Sequence, residues 1–156
     1  MNEKNDAIEI SRADDAMIGE LLAIERESFA KPWTEGQILH EMYRGDVFSA
    51  AARDAECGPG ILGFVIMRRL GDEAELMKLA VKSGARRRGV GSRLLWAAIE
   101  NAGEFGVGDI FLETRASNEA AIRLYEKLGF FGVGRRRDYY DSPREDAVLM
   151  RKALGC

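Results

Sequence analysis

Apolar residues recur along the chain with two different spacings, one typical of helices and the other typical of strands. Apolar residues recur at helical spacing in four segments, 17–29, 34–43, 94–105 and 121–128. Shorter alternating or continuous apolar runs lie between them and predict strands at 7–10, 47–51, 61–67, 74–81, 110–115, 130–133 and 146–150. The predicted order is strand, two helices, three strands, helix, strand, helix, two strands.

Turn sequences join the early strands into hairpins ahead of one strand–helix–strand unit. Gly58-Pro59-Gly60 separates the second and third strands, and Gly71-Asp72 separates the third and fourth. We therefore predict a mixed α/β fold, in which a mixed but mostly antiparallel sheet carries helices on both faces. Residues 135–145, a polar segment containing two tyrosines, are predicted to form a long loop.

Length and charge narrow the class of protein. The chain has 156 residues, which predicts a single domain over residues 1–156 with a core of its own. Its 46% hydrophobic and 31% charged residues are typical of a soluble globular protein. Because 23 Lys and Arg stand against 26 Asp and Glu, the net charge is −3, and we expect no direct nucleic-acid binding.

Sparse cysteine and histidine argue against disulfide or metal chemistry. Cys57 and Cys156 lack the number and spacing of a disulfide framework or a metal site, and His40 is the single histidine. We therefore expect no metal. No run reaches the roughly 18 apolar residues of a membrane helix, and the N-terminus lacks signal-peptide character. A cytoplasmic protein without membrane association is the expectation.

The loop at residues 86–92 connects an apolar strand to a predicted helix. Its sequence is Arg86-Arg87-Arg88-Gly89-Val90-Gly91-Ser92. Glycines at a helix N-terminus let the backbone approach a ligand, and the unpaired N–H groups and the helix dipole favour an anion. The loop lacks both the Gly-Lys-Ser/Thr ending of a P-loop and the third glycine of a dinucleotide motif. From the residues alone, a phosphate site and a plain turn with solvated arginines remain equally open.

Three features of the chain together resemble the GCN5-related N-acetyltransferase (GNAT) family. The Arg86-x-x-Gly89-x-Gly91 pattern resembles that family's pyrophosphate loop. Segment 116–130 resembles its late helix motif nearly residue for residue, and the order of predicted elements matches the family's order over the whole chain. The resemblance implies the GNAT fold and an N-acyltransferase that uses acetyl-CoA as co-substrate.

The resemblance narrows to the RimI type, bacterial enzymes that acetylate the N-terminal alanine of a ribosomal small-subunit protein. It rests on three segments, Leu112–Asn118, Pro32-Trp33-Thr34 and 137–147. A protein N-terminus is therefore the implied partner, and a monomer or weak dimer is expected. One departure is Lys82-Ser83-Gly84, where the family usually has an Asp-Pro-like turn.

The same resemblance implies where acetyl-CoA binds. The pantetheine arm would pair with strand backbone, the pyrophosphate would lie on the glycine loop, and Asn118 would contact the CoA arm, although a helix cap is the alternative for this asparagine. The expected contacts are Leu79, Ala80, Val81, Arg86, Arg87, Arg88, Gly89, Val90, Gly91, Ser92 and Asn118. Plain burial in the sheet is the alternative for the three strand residues.

Glu113 is the expected general base, and it ends an apolar strand where ligands bind in open α/β sheets. Strand alternation puts it on the face of Phe111, a partly apolar setting that raises a carboxyl pKa. The alternative is a carboxylate paired with Arg115, two residues along the same face.

Tyr125 is the expected acid that protonates the CoA thiolate. Its alternative is an ordinary place in the apolar stripe of its helix, between Leu124 and Leu128. A tyrosine in such a stripe still has a hydroxyl that needs a partner.

Four residues are expected to flank the acceptor peptide: Pro32, Trp33, Tyr139 and Tyr140. For Trp33 the alternative is a core anchor. Arg135–Arg137 are expected to form a solvated edge, and Trp96 is expected to be a lone exposed aromatic or a partner contact. An α-amine with a pKa of about 8 costs about 1.4 kcal/mol to deprotonate at pH 7, whereas a lysine costs about 4.6 kcal/mol. This favours an N-terminal acceptor. A lysine or small-amine acetyltransferase and a non-catalytic acyl-CoA sensor remain the alternatives.

Overall fold

The computed structural model describes residues 7–155, in which seven strands and four helices follow the predicted order. The strands are β1 Ile8–Arg12, β2 Val47–Asp54, β3 Ile61–Leu70, β4 Glu73–Val81, β5 Asp109–Arg115, β6 Phe131–Tyr140 and β7 Glu145–Ala153. The helices are α1 Ile18–Ser28, α2 Glu35–Met42, α3 Val90–Glu104 and α4 Glu119–Lys127. Short 3-10 helices at Asp15–Met17 and Ser83–Ala85 precede α1 and α3.

One seven-stranded sheet has the order β1-β2-β3-β4-β5-β7-β6. All neighbouring strands are antiparallel except β4 and β5, which are parallel. Two hydrophobic clusters lie on opposite faces: one contains Leu94 of α3, and the other contains Leu21 of α1 and Ile38 of α2. Adjacent β3 residues Val65 and Phe64 alternate between the two clusters, as strand geometry requires. The predicted mixed, mostly antiparallel sheet with helices on both faces is confirmed.

The parallel strands β4 and β5 separate soon after they begin. They pair at only three positions, the last being Glu75 with Phe111. Just beyond, β4 has a bulge at Met77, because Leu76 and Lys78 lie opposite consecutive residues of β3. A bulge bends its strand. The C-terminal halves of β4 and β5 therefore border an open wedge in the sheet.

The predicted long loop at 135–145 is wrong. β6 continues to Tyr140, so that only residues 141–144 connect it to β7. Residues 131–139 are all exposed on this edge strand, and they lack the apolar–polar alternation that marks a half-buried strand. A bulge interrupts the strand after Arg136, which pairs with Ala147, while Tyr140 pairs with Glu145. Asp138 in the bulge has a φ of 52°.

Local capping follows the sequence at several helix ends. Thr34 and Gln37 form a capping box at the start of α2. Asp14 caps the 3-10 helix rather than α1 itself, through a 3.0 Å bond from the Ala16 amide. Gly129, with a φ of 95°, has the left-handed conformation that is common after a helix C-terminus and follows α4.

Within residues 7–155, no helix is long and apolar enough to cross a membrane. Cys57 is an exposed free thiol. Cys156 lies outside the described residues.

Candidate active site

A cavity of about 170 Å³ occupies the wedge between β4 and β5. It brings together side chains from α1, both parallel strands, α4 and the end of β6. The lining residues are Ser28, Phe29, Ala30, Leu76, Met77, Lys78, Leu79, Leu112, Glu113, Thr114, Arg115, Asn118, Ala121, Tyr125 and Tyr140. A larger groove of about 670 Å³ beside α3 and β1 contains neither Glu113 nor Tyr125. The smaller cavity therefore collects the residues with acid–base chemistry.

Glu113 lies on the less buried face of β5. Leu112 and Thr114 are buried on the opposite face, as the alternation predicted. Its carboxylate forms an ion pair with Arg136 of β6, in which Oε1 lies 3.0 Å from Nε of the arginine. Phe111 shares this face, as expected, but a guanidinium also lies beside the carboxylate, so its surroundings are not apolar alone. The expectation that Arg135–Arg137 form only a solvated edge is wrong at Arg136.

Arg115 does not pair with Glu113, so that alternative is wrong. Its Nη1 lies 3.3 Å from Glu145 and donates a 3.0 Å hydrogen bond to the carbonyl of Pro143. The same guanidinium lies 4.4 Å from the centre of the Tyr140 ring. Hydrogen bonds from Ser117 and then Arg115 hold the pKa of Glu145 below its usual range. Arg115 thus ties the β6–β7 connection to β5.

Tyr125 belongs both to the core and to the cavity. Its side chain is 8% exposed and packs edge-to-face on Phe130, with ring centres 5.9 Å apart. Burial, with a smaller contribution from Tyr140, raises the pKa of Tyr125 to about 12. The phenol therefore carries its proton at neutral pH, as a proton donor must.

The two tyrosines at the end of β6 lie next to Glu113. Their rings meet edge-to-face with centres 5.1 Å apart. The charge of Glu113, and then a hydrogen bond to it, raise the pKa of Tyr139. Burial, and then the charge of Glu113, raise the pKa of Tyr140. Tyr140 lines the cavity, whereas Tyr139 is 51% exposed outside it.

Lys78 forms a buried ion pair that the sequence did not predict. Its Nζ lies 2.7 Å from Oε1 of Glu25, and 4.0 Å and 4.6 Å from the ring centres of Phe29 and Trp33. The Trp33 amide donates to the same Glu25 oxygen at 3.3 Å. A glutamate at an apolar-face position of α1 was the signal for such a buried partner. Trp33 packs against the core, as its alternative anticipated.

The connection containing Pro32 bridges to the β6–β7 connection. Nζ of Lys31 lies 2.6 Å from the Asp141 carboxylate, and both side chains are largely exposed. Pro32 is exposed, and neither Pro32 nor Trp33 lines the cavity. Pro32 and Trp33 thus lie on the first of these connections, whereas Tyr139 and Tyr140 end β6 just before the second. Only Tyr140 of the four expected acceptor residues lines the cavity itself.

The glycine loop has the backbone of an anion site. Arg87 and Gly89 are left-handed, with φ values of 65° and 78°, and α3 begins at Val90 without a side-chain cap. Successive N–H groups in such conformations form a concave, positively polarised surface. Gly91 lies close to α4, since a Cβ there would be 3.2 Å from the side chain of Leu124.

The side chain of Arg88 is engaged elsewhere. Its Nη2 donates a 2.6 Å hydrogen bond to Asp54, a buried residue at the end of β2. This contact is the main cause that lowers the pKa of Asp54. Arg86 and Arg87 remain exposed, whereas Arg88 anchors the loop to the sheet.

The remaining expected contacts line the wedge. Leu79–Val81 pair with β3 along one edge, and none of the described strands pairs with their other edge. Asn118 lines the cavity and also caps α4, accepting a 3.2 Å hydrogen bond from the Ala121 amide. Its capping alternative is therefore confirmed.

Comparison with known proteins identifies the family. Residues 18–130 match the sequence profile described as the Acetyltransferase (GNAT) family. The chain belongs to this family. The GNAT fold and an acetyl-CoA-dependent N-acetyltransferase activity follow for this chain, as the sequence resemblance implied.

The chain is similar to two bacterial relatives and to one solved structure from Thermoplasma volcanium. The chain is 36% identical over 129 residues to [Ribosomal protein bS18]-alanine N-acetyltransferase of Escherichia coli (strain K12), with 81% of this chain and 84% of the relative covered. It is 31% identical over 135 residues to a putative enzyme of the same description from Bacillus subtilis (strain 168), with 85% and 87% covered. The crystal structure of Ard1 from Thermoplasma volcanium has a TM-score of 0.85 and 26% identity, with 96% and 99% covered.

A solved structure supports the same relationship in three dimensions. The ribosomal-protein-S18-alanine N-acetyltransferase from Escherichia coli superposes with a TM-score of 0.86 and 32% identity. The match covers 96% of this chain and 95% of that one. The likeness to the RimI type is therefore present in both sequence and fold.

Proposed function

We propose that this GNAT enzyme transfers the acetyl group of acetyl-CoA to the α-amine of an N-terminal alanine on a ribosomal small-subunit protein in the cytoplasm. The observation that carries the proposal is that Glu113 and Tyr125 line one cavity in the wedge between β4 and β5. The acceptor named for the Escherichia coli relative supports the choice of substrate.

The co-substrate fits the wedge and the glycine loop. The open edge of Leu79–Val81 offers backbone groups to the amides of pantetheine, as an extended ligand needs. The left-handed backbone at Arg87 and Gly89 suits a pyrophosphate, with the N–H groups of 87–92 as its donors. Arg86 and Arg87 add exposed positive charge, Arg88 fixes the loop, and Asn118 borders the CoA arm.

The reaction forms a C–N bond and breaks the C–S bond of the thioester. Glu113 takes the proton that the attacking amine loses, directly or through a water. Tyr125 gives its proton to the departing CoA thiolate. The two groups reach the cavity from β5 and α4, so that base and acid lie on different elements.

The acceptor chain would approach between the two connections that border the cavity. Pro32 and Trp33 belong to one of these connections, and Tyr139 and Tyr140 precede the other. Aromatic rings there can wall a peptide while tyrosine hydroxyls hold its backbone. A single carboxylate base suits an α-amine of pKa about 8 better than a lysine of pKa about 10.4.

The test is CoA-thiol release from acetyl-CoA with an Ala-initiated peptide of a ribosomal small-subunit protein. The wild-type enzyme is compared with Glu113→Gln, and the free peptide with the same peptide blocked at its N-terminus. Turnover that requires the free N-terminus and falls about 100-fold or more in the variant is expected. Undiminished turnover of the blocked peptide would assign a lysine acceptor. Acetyl-CoA binding without turnover of any amine would assign a sensor.

A further inference from the structure

Arg136 reaches Glu113 from the edge strand, across an intervening strand. Arg136 and Arg115 both lie opposite Ala147 of β7, so these three residues share one face of the sheet. Glu113 is two residues before Arg115 on that face. Because Ala147 has only a methyl group, the long side chain of Arg136 can cross β7 to the carboxylate.

The neighbouring positions leave this path open. Gly134 and Glu113 both lie opposite Leu149, and Gly134 has no side chain to compete for the carboxylate. The bulge after Arg136 brings Tyr139 to the same carboxylate, with which it forms a hydrogen bond. The amide of Asp138 fixes the bulge by donating a 2.9 Å hydrogen bond to Asp146. Backbone geometry and side-chain size thus direct two donors of β6 at one carboxylate.

The exposure of Arg136 argues against a purely structural role. Its side chain is 56% exposed, and exposed ion pairs contribute little to stability. An ionised carboxylate has about four lone-pair positions. Donors from Arg136 and Tyr139 occupy two of them and leave others for an amine or a water.

We propose that Arg136 is a positioning residue for the acetyl transfer, holding the Glu113 carboxylate in one orientation and offsetting its charge. This inference rests on the proposed role of Glu113 as the base. An uncompensated carboxylate would bind the acceptor as an ammonium ion, which cannot attack the thioester. With Arg136 beside it, the same carboxylate accepts a hydrogen bond from a neutral amine without strongly favouring the protonated form.

Charged and titratable groups from every neighbouring element surround this pair. Arg115 lies on β5 itself, and the others are Glu75 and Lys78 of β4, Tyr125 of α4, Tyr139 and Tyr140 of β6, and Glu145 of β7. Lys78 and Arg115 are already paired with Glu25 and Glu145. Of these three cations, Arg136 is therefore the one that forms an ion pair with Glu113.

The test compares Arg136→Ala, Arg136→Lys and Arg135→Ala with wild-type enzyme and Glu113→Gln. Arg135 is a matched control, since it is a neighbouring exposed arginine that pairs with Asp146 at 3.8 Å. In Arg136→Ala we expect kcat for the Ala-initiated peptide to fall about tenfold, with KM for acetyl-CoA and the thermal unfolding midpoint as in the control. Arg136→Lys should recover part of kcat, because an ammonium restores the charge but not the fork of donors.

The outcomes separate this inference from the proposed function. Full turnover by Glu113→Gln would overturn the base, and the inference with it. An inactive Glu113→Gln beside an Arg136→Ala variant that behaves like Arg135→Ala would overturn the positioning role alone. A faster Arg136→Ala enzyme, or one whose lost activity tracks lost thermal stability, would also overturn it.

Discussion

Nζ of Lys78 lies 2.7 Å from Oε1 of Glu25, a side chain with no exposed surface. The pair joins β4, at its bulge, to the end of α1, and the amide of Trp33 shares the same carboxylate oxygen. The other oxygen, Oε2, is buried without a hydrogen-bond partner among the described residues. One charge pair therefore fixes the wall of the cavity opposite α4.

Glu25→Gln should destabilise the protein strongly, because it leaves the ammonium of Lys78 buried without a counter-charge. Removing one partner of a buried pair typically costs about 3–5 kcal/mol of unfolding free energy. Denaturant unfolding of the variant measures this change. Lys31→Met, which breaks the exposed pair with Asp141, is the control and should change stability little. If both variants lose the same free energy of unfolding, the burial of the Glu25–Lys78 pair adds no extra cost to its disruption.

Tyr125→Phe should reduce turnover while the fold stays intact. The substitution removes only the hydroxyl, and a positioned proton donor typically contributes about 100-fold or more to the rate. Steady-state thiol release measures the loss. Tyr43→Phe, at a tyrosine that is 70% exposed, is the matched control and should keep wild-type kinetics. If both variants turn over normally, Tyr125 is a core residue and another group protonates the thiolate.

Gly89→Ala should weaken acetyl-CoA binding by straining the loop. Residue 89 has a φ of 78°, a conformation that costs a residue with a Cβ about 1–2 kcal/mol. We expect KM for acetyl-CoA to rise while KM for the peptide changes little. Gly84→Ala serves as the control, since a Cβ there meets no atom within 4 Å and its φ is not in the left-handed region. An unchanged KM for acetyl-CoA in Gly89→Ala would show that acetyl-CoA binding does not depend on the left-handed conformation at residue 89.

Asp54 should make the free energy of unfolding decrease as the pH falls into the acidic range. The Arg88 guanidinium is the main cause that lowers the pKa of this carboxyl in the folded protein below its ordinary value of about 4. Its stabilisation is therefore complete above pH 4 and is lost as the pH falls through the folded-state pKa. Asp54→Asn should lower stability at pH 7 and flatten the acid side of a plot of unfolding free energy against pH. An unchanged acid slope would assign the pH dependence to other carboxyls.

Fold order was predictable from sequence because the periodicities of strands and helices were strong. The predicted loop at 135–145 failed for a physical reason, since an exposed edge strand has no buried face and so no alternation to detect. Arg136 and Arg135 of this segment belong to β6 and pair with Glu113 and Asp146. Edge strands with this composition are hard to distinguish from polar loops in a single sequence.

The candidate site was predictable where local motifs carry it and not where distant segments meet. Glu113, Tyr125 and Asn118 line one cavity, as the motif resemblance implied. The partners of Glu113 and Lys78 are 23 and 53 residues away along the chain, so only the packed sheet could reveal them. Arg88 was expected to contact acetyl-CoA because it lies in the glycine loop. Its guanidinium instead donates a hydrogen bond to Asp54.

The bulged, arginine-rich edge strand β6 also disfavours pairing between the sheets of two copies of this chain. An exposed edge strand offers its unpaired backbone groups to other copies of the same chain. The irregular backbone at Asp138 interrupts the outer row of amide and carbonyl groups, and three consecutive arginines place positive charge along the same strand. Like charges would meet if two such edges approached each other. We therefore expect β6 to resist edge-to-edge polymerisation, so that the enzyme should stay free of β6-linked filaments even at high concentration.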